Sequence, residues 1–327
     1  MISKSLVIPP VGSLIRGQFA CVRCSAILFV MMSGTITRSD DRFTVQEKSD
    51  RLLISLGQQP ITEYVFRDEK IHRPYFAQVR LPNGLQATRN HPPVAGIDST
   101  DHDLMHPGVW LAFGDISGHD FWRNESRIQH ESFLKRPQAA GASLTFVTEA
   151  LLETAEAAPL CQMISKFTLC ERPKGWLLIW DATVEARYRE VAFGDQEEMG
   201  LGVRMATPLT EKNGGRIRNS NGVETAAKTW GQSAKWCDYS GSAGEQRGGI
   251  TLMASPDNFR ESWWHNRDYG VFVANPFGRS AMKQGAVSVV TIPRYESLRM
   301  TFGAFVHEDI EIDAEAEFDA FVKYLQP

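Results

Sequence analysis

From residue 42 onward the chain alternates apolar and polar residues in short runs, each closed by a turn signal. Residues 51–56 end at Gly57, 61–66 end at the charged run 67–70, and 75–81 end at Pro82, Asn83 and Gly84. A period of two places successive side chains on opposite faces, which predicts half-buried strands. Asn83 and Gly84 both tolerate positive φ, so that turn has a physical cause. Further strands are expected at 108–114, 143–152, 160–169, 176–191, 249–254, 270–273, 286–292 and 298–307. Their spacing predicts an all-β sandwich or barrel. Helical periodicity is convincing only over 313–325, where Ala316, Phe318, Phe321, Val322 and Leu325 form one stripe behind an acidic first turn. Residues 213–249 are rich in Gly, Ser and Asn but carry Trp230, Trp236 and Tyr239, which predicts a long ordered loop over one sheet face. No repeat or linker interrupts the chain, so 41–327 reads as a single β-sandwich domain.

Composition narrows the partners. Of 327 residues, 43% are hydrophobic and 23% charged, enough for a sizeable core. A formal charge of −4 offers no general attraction to phosphate backbones, so nucleic acid is not an expected partner. The acids crowding the C-terminus, from Glu308 to Asp319, read as a solvated helix face. Five cysteines include one lone C-x-x-C, Cys21 and Cys24, with no second pair to complete a structural zinc site. An odd, scattered set suits a reducing compartment, so a cytoplasmic location is expected.

Residues 1–40 differ from the rest. They hold Lys4, Arg16, Arg23 and Arg38 but no acid before Asp40, and the apolar run 25–32 is too short to cross a bilayer. Basic residues ahead of a short apolar stretch resemble a signal peptide, which would place the protein in the periplasm or outside the cell. A mis-assigned start near Met31 or Met32, leaving a disordered extension, explains the stretch equally simply.

Candidate chemistry concentrates in 101–122, DHDLMHPGVWLAFGDISGHDFW, which gathers His102, His106, His119, Asp101, Asp115 and Asp120 beside Trp110 and Trp122. Titratable groups at strand ends with flanking aromatics are what a site for a small polar ligand requires. Pro107 and Gly108 put His106 in a loop entering a strand whose alternation sends Val109, Leu111 and Phe113 one way and Trp110 the other. An imidazole titrates near neutral pH, so His102 or His106 suits general acid–base work; purely structural histidines are the alternative. Arg89 and His91, beside Pro92 and Pro93, offer fixed donors to hydroxyls or a carboxylate. On a strand Glu198, Gly200, Gly202 and Arg204 share one face, joining a carboxylate to a guanidinium, although a structural ion pair explains them as well. Trp236 and Asn275 belong to two later stretches where flat rings alternate with amides, a mixture suited to sugar rings. No G-x-S-x-G elbow is present.

These residues resemble a known family. The 101–122 block is similar to the Asp-His-x-x-His-x-Gly-Leu-Trp…Gly-Asp-x-Asn-Gly-x-Asp-Phe-Trp signature of an uncharacterised bacterial family that carries the label "methane oxygenase PmoA". Residues 198–204, 230–241 and 269–278 resemble its later blocks, so the likeness spans roughly 45–310. Met105 stands where the family often has a further histidine and Ser117 where it has Asn, so three histidines at this point are not implied here. Membrane methane oxygenase subunits cross the bilayer several times, and this chain has no apolar run able to cross once. What the resemblance implies instead is a supersandwich akin to the aldose-epimerase (galactose mutarotase)-like fold, associated with sugar catabolism. Fold alone does not determine chemistry.

The expectation is therefore a carbohydrate-active protein, an epimerase, lyase or hydrolase. His102 or His106 would act as acid or base, Glu198 as its partner and Arg89 or Arg204 as the orienting cation. Arg89, His91, Trp110, Asp120, Trp122, Arg204, Trp236 and Asn275 would line the substrate, and no cofactor is expected. Two other readings stand beside it: a non-catalytic sugar-binding protein stacking its ligand on Trp110, Trp122 and Trp236, and a divalent-metal lyase or hydrolase ligated by His102, His106 and a carboxylate.

Overall fold

A computed structural model describes residues 41–326, and the expectations for 1–40 lie outside that range. The described residues build an all-β molecule of two eight-stranded antiparallel sheets with a short C-terminal helix. The first sheet runs Phe43–Glu47, Arg51–Leu56, Gln59–Val65, Tyr75–Ala77, Val109–Phe113, Met199–Arg204, Val271–Asn275, Trp263–Asn266. The second runs Arg216–Asn219, Trp236–Ala243, Gln246–Ala254, Ser297–His307, Gly175–Glu185, Pro159–Arg172, Ser143–Glu153, Arg127–Ala140. A two-stranded ribbon pairs Val191–Phe193 with Val290–Ile292.

Alternation explains the layering. Leu52, Ile54, Tyr64, Phe76, Leu111 and Val203 from one sheet meet Phe146, Phe167, Trp180, Leu252 and Phe302 from the other in one buried core. Each such side chain contributes about 1.5–3 kcal/mol on burial. The rings of Tyr64, Phe146 and Phe167 lie 4.7–5.2 Å apart, within the range of favourable aromatic contact.

The helix Ala314–Leu325 starts at Asp313, whose side chain accepts from the Ala316 amide at 3.0 Å, and it lays Ala314, Phe318 and Phe321 on Leu177, Trp236, Met253 and Phe305. The buried stripe begins at Ala314, while Ala316, expected within it, faces solvent. No helix among the described residues is long and apolar enough to cross a membrane.

Several expectations need correction. Residues 213–249 are no loop: they hold Arg216–Asn219, Trp236–Ala243 and the start of Gln246–Ala254, with a one-turn helix Ala226–Thr229. Their polar composition misleads because Asp238 and Ser240 are buried with hydrogen-bond partners rather than solvated. The strand expected at 75–81 stops at Ala77, where Gln78 takes φ 51° and leaves the ladder. The one expected at 176–191 divides into Gly175–Glu185 and Val191–Phe193.

Candidate functional site

The two faces of Val109–Phe113 go to different places. Val109, Leu111 and Phe113 enter the core between the sheets, whereas Trp110 lies on the outer face of the first sheet, paired across to Tyr75 and Gly202. Gly202 makes room for the indole, since a Cβ there would stand 2.7 Å from the Trp110 ring. Gly200 adopts φ 111°, and a Cβ there would stand 2.1 Å from the Ala274 carbonyl oxygen. Gly200, Gly202 and Arg204 thus share the outer strand face that their spacing suggests, while Glu198 lies just before the strand.

An aromatic stack grows from Trp110. Trp122 meets it edge-on at 5.3 Å, His106 stacks on it at 5.0 Å with 18° between planes, and His102 lies 5.4 Å from His106. Both indoles are fully buried and His106 nearly so, so neither Trp110 nor Trp122 presents a free face as a stacking platform. Tyr75, Ile71 and Val273 pack beside them, with Met105 and Tyr269 at the rim.

Buried guanidiniums hold the covering loops in place. Arg89 donates to the carbonyls of Ser99, Asp101, His102 and His106 at 2.6–3.3 Å. Arg73 donates to the carbonyls of Trp122 and Met105 and to Asn124 Oδ1. Asp120 Oδ1 accepts from the amides of Trp122 and Arg123 at 2.7 and 2.8 Å. Arg89 and Asp120 therefore shape the loops around the stack rather than projecting toward a ligand.

The exposed end carries an acid–imidazole pair. Asp101 Oδ2 is 3.0 Å from His102 Nδ1, and Asp101 Oδ1 accepts from Arg204 Nη2 at 2.7 Å and from the Ser99 hydroxyl. Arg204 is buried under the Tyr269 ring, 4.6 Å from its centroid. Burial alone would raise the Asp101 carboxyl, but hydrogen bonds from Ser99 and His102 and the Arg204 charge hold it well below the usual range. His102 sits at φ 49°, a left-handed conformation that costs a non-glycine residue about 1–2 kcal/mol. His106 is pushed well below an ordinary imidazole by burial, then by the charges of Arg204, His102, Arg73 and Arg89, so it is neutral at pH 7. Burial also brings Arg73 down to about 9 and, together with Arg204, brings Arg89 down to about 10.

Polar atoms on this face lack partners. His106 Nδ1, Trp110 Nε1, Trp122 Nε1, Arg204 Nη1 and Arg89 Nε are all buried without a hydrogen bond. Each such group costs about 1–3 kcal/mol, and buried orphans are uncommon.

Glu198 marks the far end of the same face. It lies just before the strand Met199–Arg204, four positions ahead of Gly202. Its carboxylate pairs with Arg123, which also reaches Asp120 Oδ2 at 2.6 Å. Among the described residues no hydrogen bond or ion pair joins Glu198 to His102 or His106, so the expected direct acid–base couple is not formed.

Three further expected residues lie elsewhere or are already engaged. Trp236 stands on the second sheet beneath the C-terminal helix, its indole donating to Glu315 at 2.8 Å. Asn275 is a backbone bracket: its amide donates to the carbonyls of Gln196 and Glu197, and its oxygen accepts from the amides of Phe277 and Gly278. His91 is edge-on to Tyr75 at 5.4 Å and lines a neighbouring cleft of about 650 Å³ with Asp68 and Arg67.

The sequence gives Asp101 no role beyond its place in 101–122, and it does not single out the set Glu197, His265 and Arg267. His265 pairs across to Val273, which pairs to Gly202, so it shares the Trp110 face. Its Nδ1 is 2.9 Å from Glu197 Oε2 but off the line of a hydrogen bond, while Arg267 reaches the same oxygen at 2.7 Å. Only the adjacency of Glu197 to Glu198 and of Asp101 to His102 signalled them. Among the described residues no three His, Cys, Asp or Glu side chains gather as a metal site. Cys161, Cys170 and Cys237 are free, buried thiols.

Comparison with known proteins gives a family. The family of unknown function DUF6807 matches residues 51–320. The chain belongs to that family. No curated protein matches it. Among solved structures it is similar to a GH36 α-galactosidase, AgaB, from Geobacillus stearothermophilus (11% identity, TM-score 0.44), over 81% of this chain. The chain spans 41% of the length of that enzyme. A galactose mutarotase-like protein from Lactobacillus casei ATCC 334 is similar over 81% of this chain and 100% of its own (10% identity, TM-score 0.33). The Slr1438 protein from Synechocystis sp. PCC 6803 is similar over 84% and 100% (11% identity, TM-score 0.31).

Proposed function

We propose that this member of DUF6807 binds a carbohydrate over the outer face of its first sheet and moves protons on it through His102. The observation that carries the reading is the set of orphaned polar atoms on His106, Trp110, Trp122 and Arg204 around one aromatic stack. A sugar supplies hydroxyls that accept from indole and guanidinium N–H groups and answer an imidazole nitrogen. A ligand entering beneath the 99–106 turn would relieve groups that otherwise cost about 1–3 kcal/mol each.

Asp101 gives the chemistry. Its carboxylate holds His102 Nδ1 and leaves Nε2, on a half-exposed ring, to take or give a proton. Arg204, anchored on Asp101, steadies that carboxylate, and neutral His106 behind it adds an uncharged donor or acceptor. Such a pair serves proton abstraction beside a carbonyl or protonation of a leaving oxygen, the steps shared by sugar epimerases, lyases and hydrolases.

A screen of sugars followed by NMR tests this, with His102→Ala beside the wild type. Binding is expected in both, with turnover falling at least about 10²-fold in the variant. Binding without conversion of any sugar by the wild type would leave a non-catalytic sugar-binding protein. A panel in which nothing binds would end the carbohydrate reading.

A further inference from the structure

Beside the His102 loop the first sheet carries a second recess. A groove of about 780 Å³ opens over its edge strand Phe43–Glu47 and the next two, Arg51–Leu56 and Gln59–Val65. Its walls present Thr44, Gln46, Ser55, Gln59, Gln78 and Asn90. Four of these six are carboxamides, each pairing a donor with an acceptor at the spacing of two neighbouring hydroxyls. Its two charged lining residues, Glu63 and Arg80, are opposite in sign, so the walls carry no net charge. Leu53 and Pro60 supply an apolar floor.

Two irregularities border this groove. The register between Arg51–Leu56 and Gln59–Val65 shifts between Ile54 and Ser55, leaving buried Ile61 as the extra residue of a bulge opposite Ser55. Gln78 takes φ 51° and is locked there, donating to the His91 carbonyl at 2.9 Å and accepting from Gln86 at 3.2 Å. Strained positions that persist mark places where the surroundings are built for a purpose.

The groove is also tied to the candidate site. Arg89 grips the 99–106 turn, the next residue, Asn90, lines the groove, and its Nδ2 donates to Asp98 at 2.9 Å at the base of that turn.

We propose that the groove holds the remaining units of a neutral oligosaccharide whose terminal unit reaches His102, so the ligand is a chain rather than a single sugar. This inference rests on the carbohydrate reading above. Neutral hydroxyls can pair with Gln46 and Gln59, while Gln78 and Asn90, already bonded to His91, Gln86 and Asp98, shape the wall.

Calorimetric titration with neutral glycans of the common hexoses and pentoses, from mono- to hexasaccharide, tests it. In the wild type affinity should rise about tenfold between mono- and tetrasaccharide, as expected for one or two added net hydrogen bonds. In Gln46→Ala/Gln59→Ala, which alters an exposed residue of the edge strand and a half-buried one that opens the third strand, that rise should vanish while monosaccharide affinity stays unchanged. Length-independent binding by the wild type, or a length dependence that survives the double substitution, overturns the groove and leaves the carbohydrate reading standing. Absence of binding by every glycan removes that reading and the groove with it.

Discussion

At Gly202 the missing side chain decides where Trp110 can lie, and through Trp110 where His106 can lie. A Cβ would stand 2.7 and 2.8 Å from two carbons of the indole, which is itself held between His106 and Trp122 and has nowhere to retreat. Gly202→Ala is therefore expected to cost about 1–3 kcal/mol in urea unfolding and to alter the near-UV circular dichroism of the tryptophans. Gly57→Ala makes the control. Its φ of 60° also favours glycine, but no atom lies within 4 Å of a Cβ there, so its smaller loss should leave the aromatic signal intact. An unchanged aromatic spectrum in Gly202→Ala would show that the stack does not depend on that gap.

The C-terminal helix is an element held by polar contacts as much as by apolar ones. Asp238 and His307 are both fully buried, with Nε2 and Oδ1 2.9 Å apart, and Thr251 and Ser240 donate to the same carboxylate. His307 Nδ1 lies 2.5 Å from the Asp309 carbonyl, while Arg216 and Arg218 donate to those of Ile310 and Ile312, pinning the segment that leads into the helix. Burial would raise the Asp238 carboxyl, but its bonds and the charge of His307 outweigh this, and it lies below the usual range. A depressed carboxyl stabilises above its unfolded value and loses that contribution as pH falls through the folded value. Asp238→Asn should cost about 3 kcal/mol at pH 7, with the gap to wild type closing under acid as the native carboxyl protonates. A gap constant across that acid range would separate the loss from the charge. This element was legible because its stripe has a 3.6-residue period, and Val109–Phe113, Ser143–Glu153 and Ser297–His307 were legible because theirs has a period of two. Trp236–Ala243 was hidden because Asp238 and Ser240 bury polar groups that composition assigns to solvent. The cluster of His102, His106, Arg89 and Arg204 could be suspected from residue types near one strand. Glu197, His265 and Arg267 could not be read as a group, since only the fold brings Glu197 beside His265 and Arg267, which are distant in sequence.

At the scale of the molecule the sandwich must also keep its edges from pairing with other chains. Arg127–Ala140 closes the second sheet with fourteen residues, one of its longest strands, and its outer backbone groups are a template for an incoming strand. The edge is blunted in sequence and in geometry. Lys135 and Arg136 place charge beside exposed Leu134, Pro137 has no N–H to donate, and register shifts between His130 and Gln138 bend the strand. Arg136 Nη1 meets Glu47 Oε1 at 2.5 Å, which joins this edge to the outermost strand of the first sheet. Much of this strand is exposed and its alternation is broken, which is also why its sequence does not read as a strand. Lys135→Thr/Arg136→Thr/Pro137→Val removes both charges and the missing donor while adding residues that favour strands. Its thermal midpoint should stay close to that of the wild type, because none of the three side chains enters the core. Association should nevertheless rise with concentration in light scattering, since a continuous pairing edge is now on offer. A variant as monodisperse as the wild type at the same concentration would mean that the register shifts alone protect this edge.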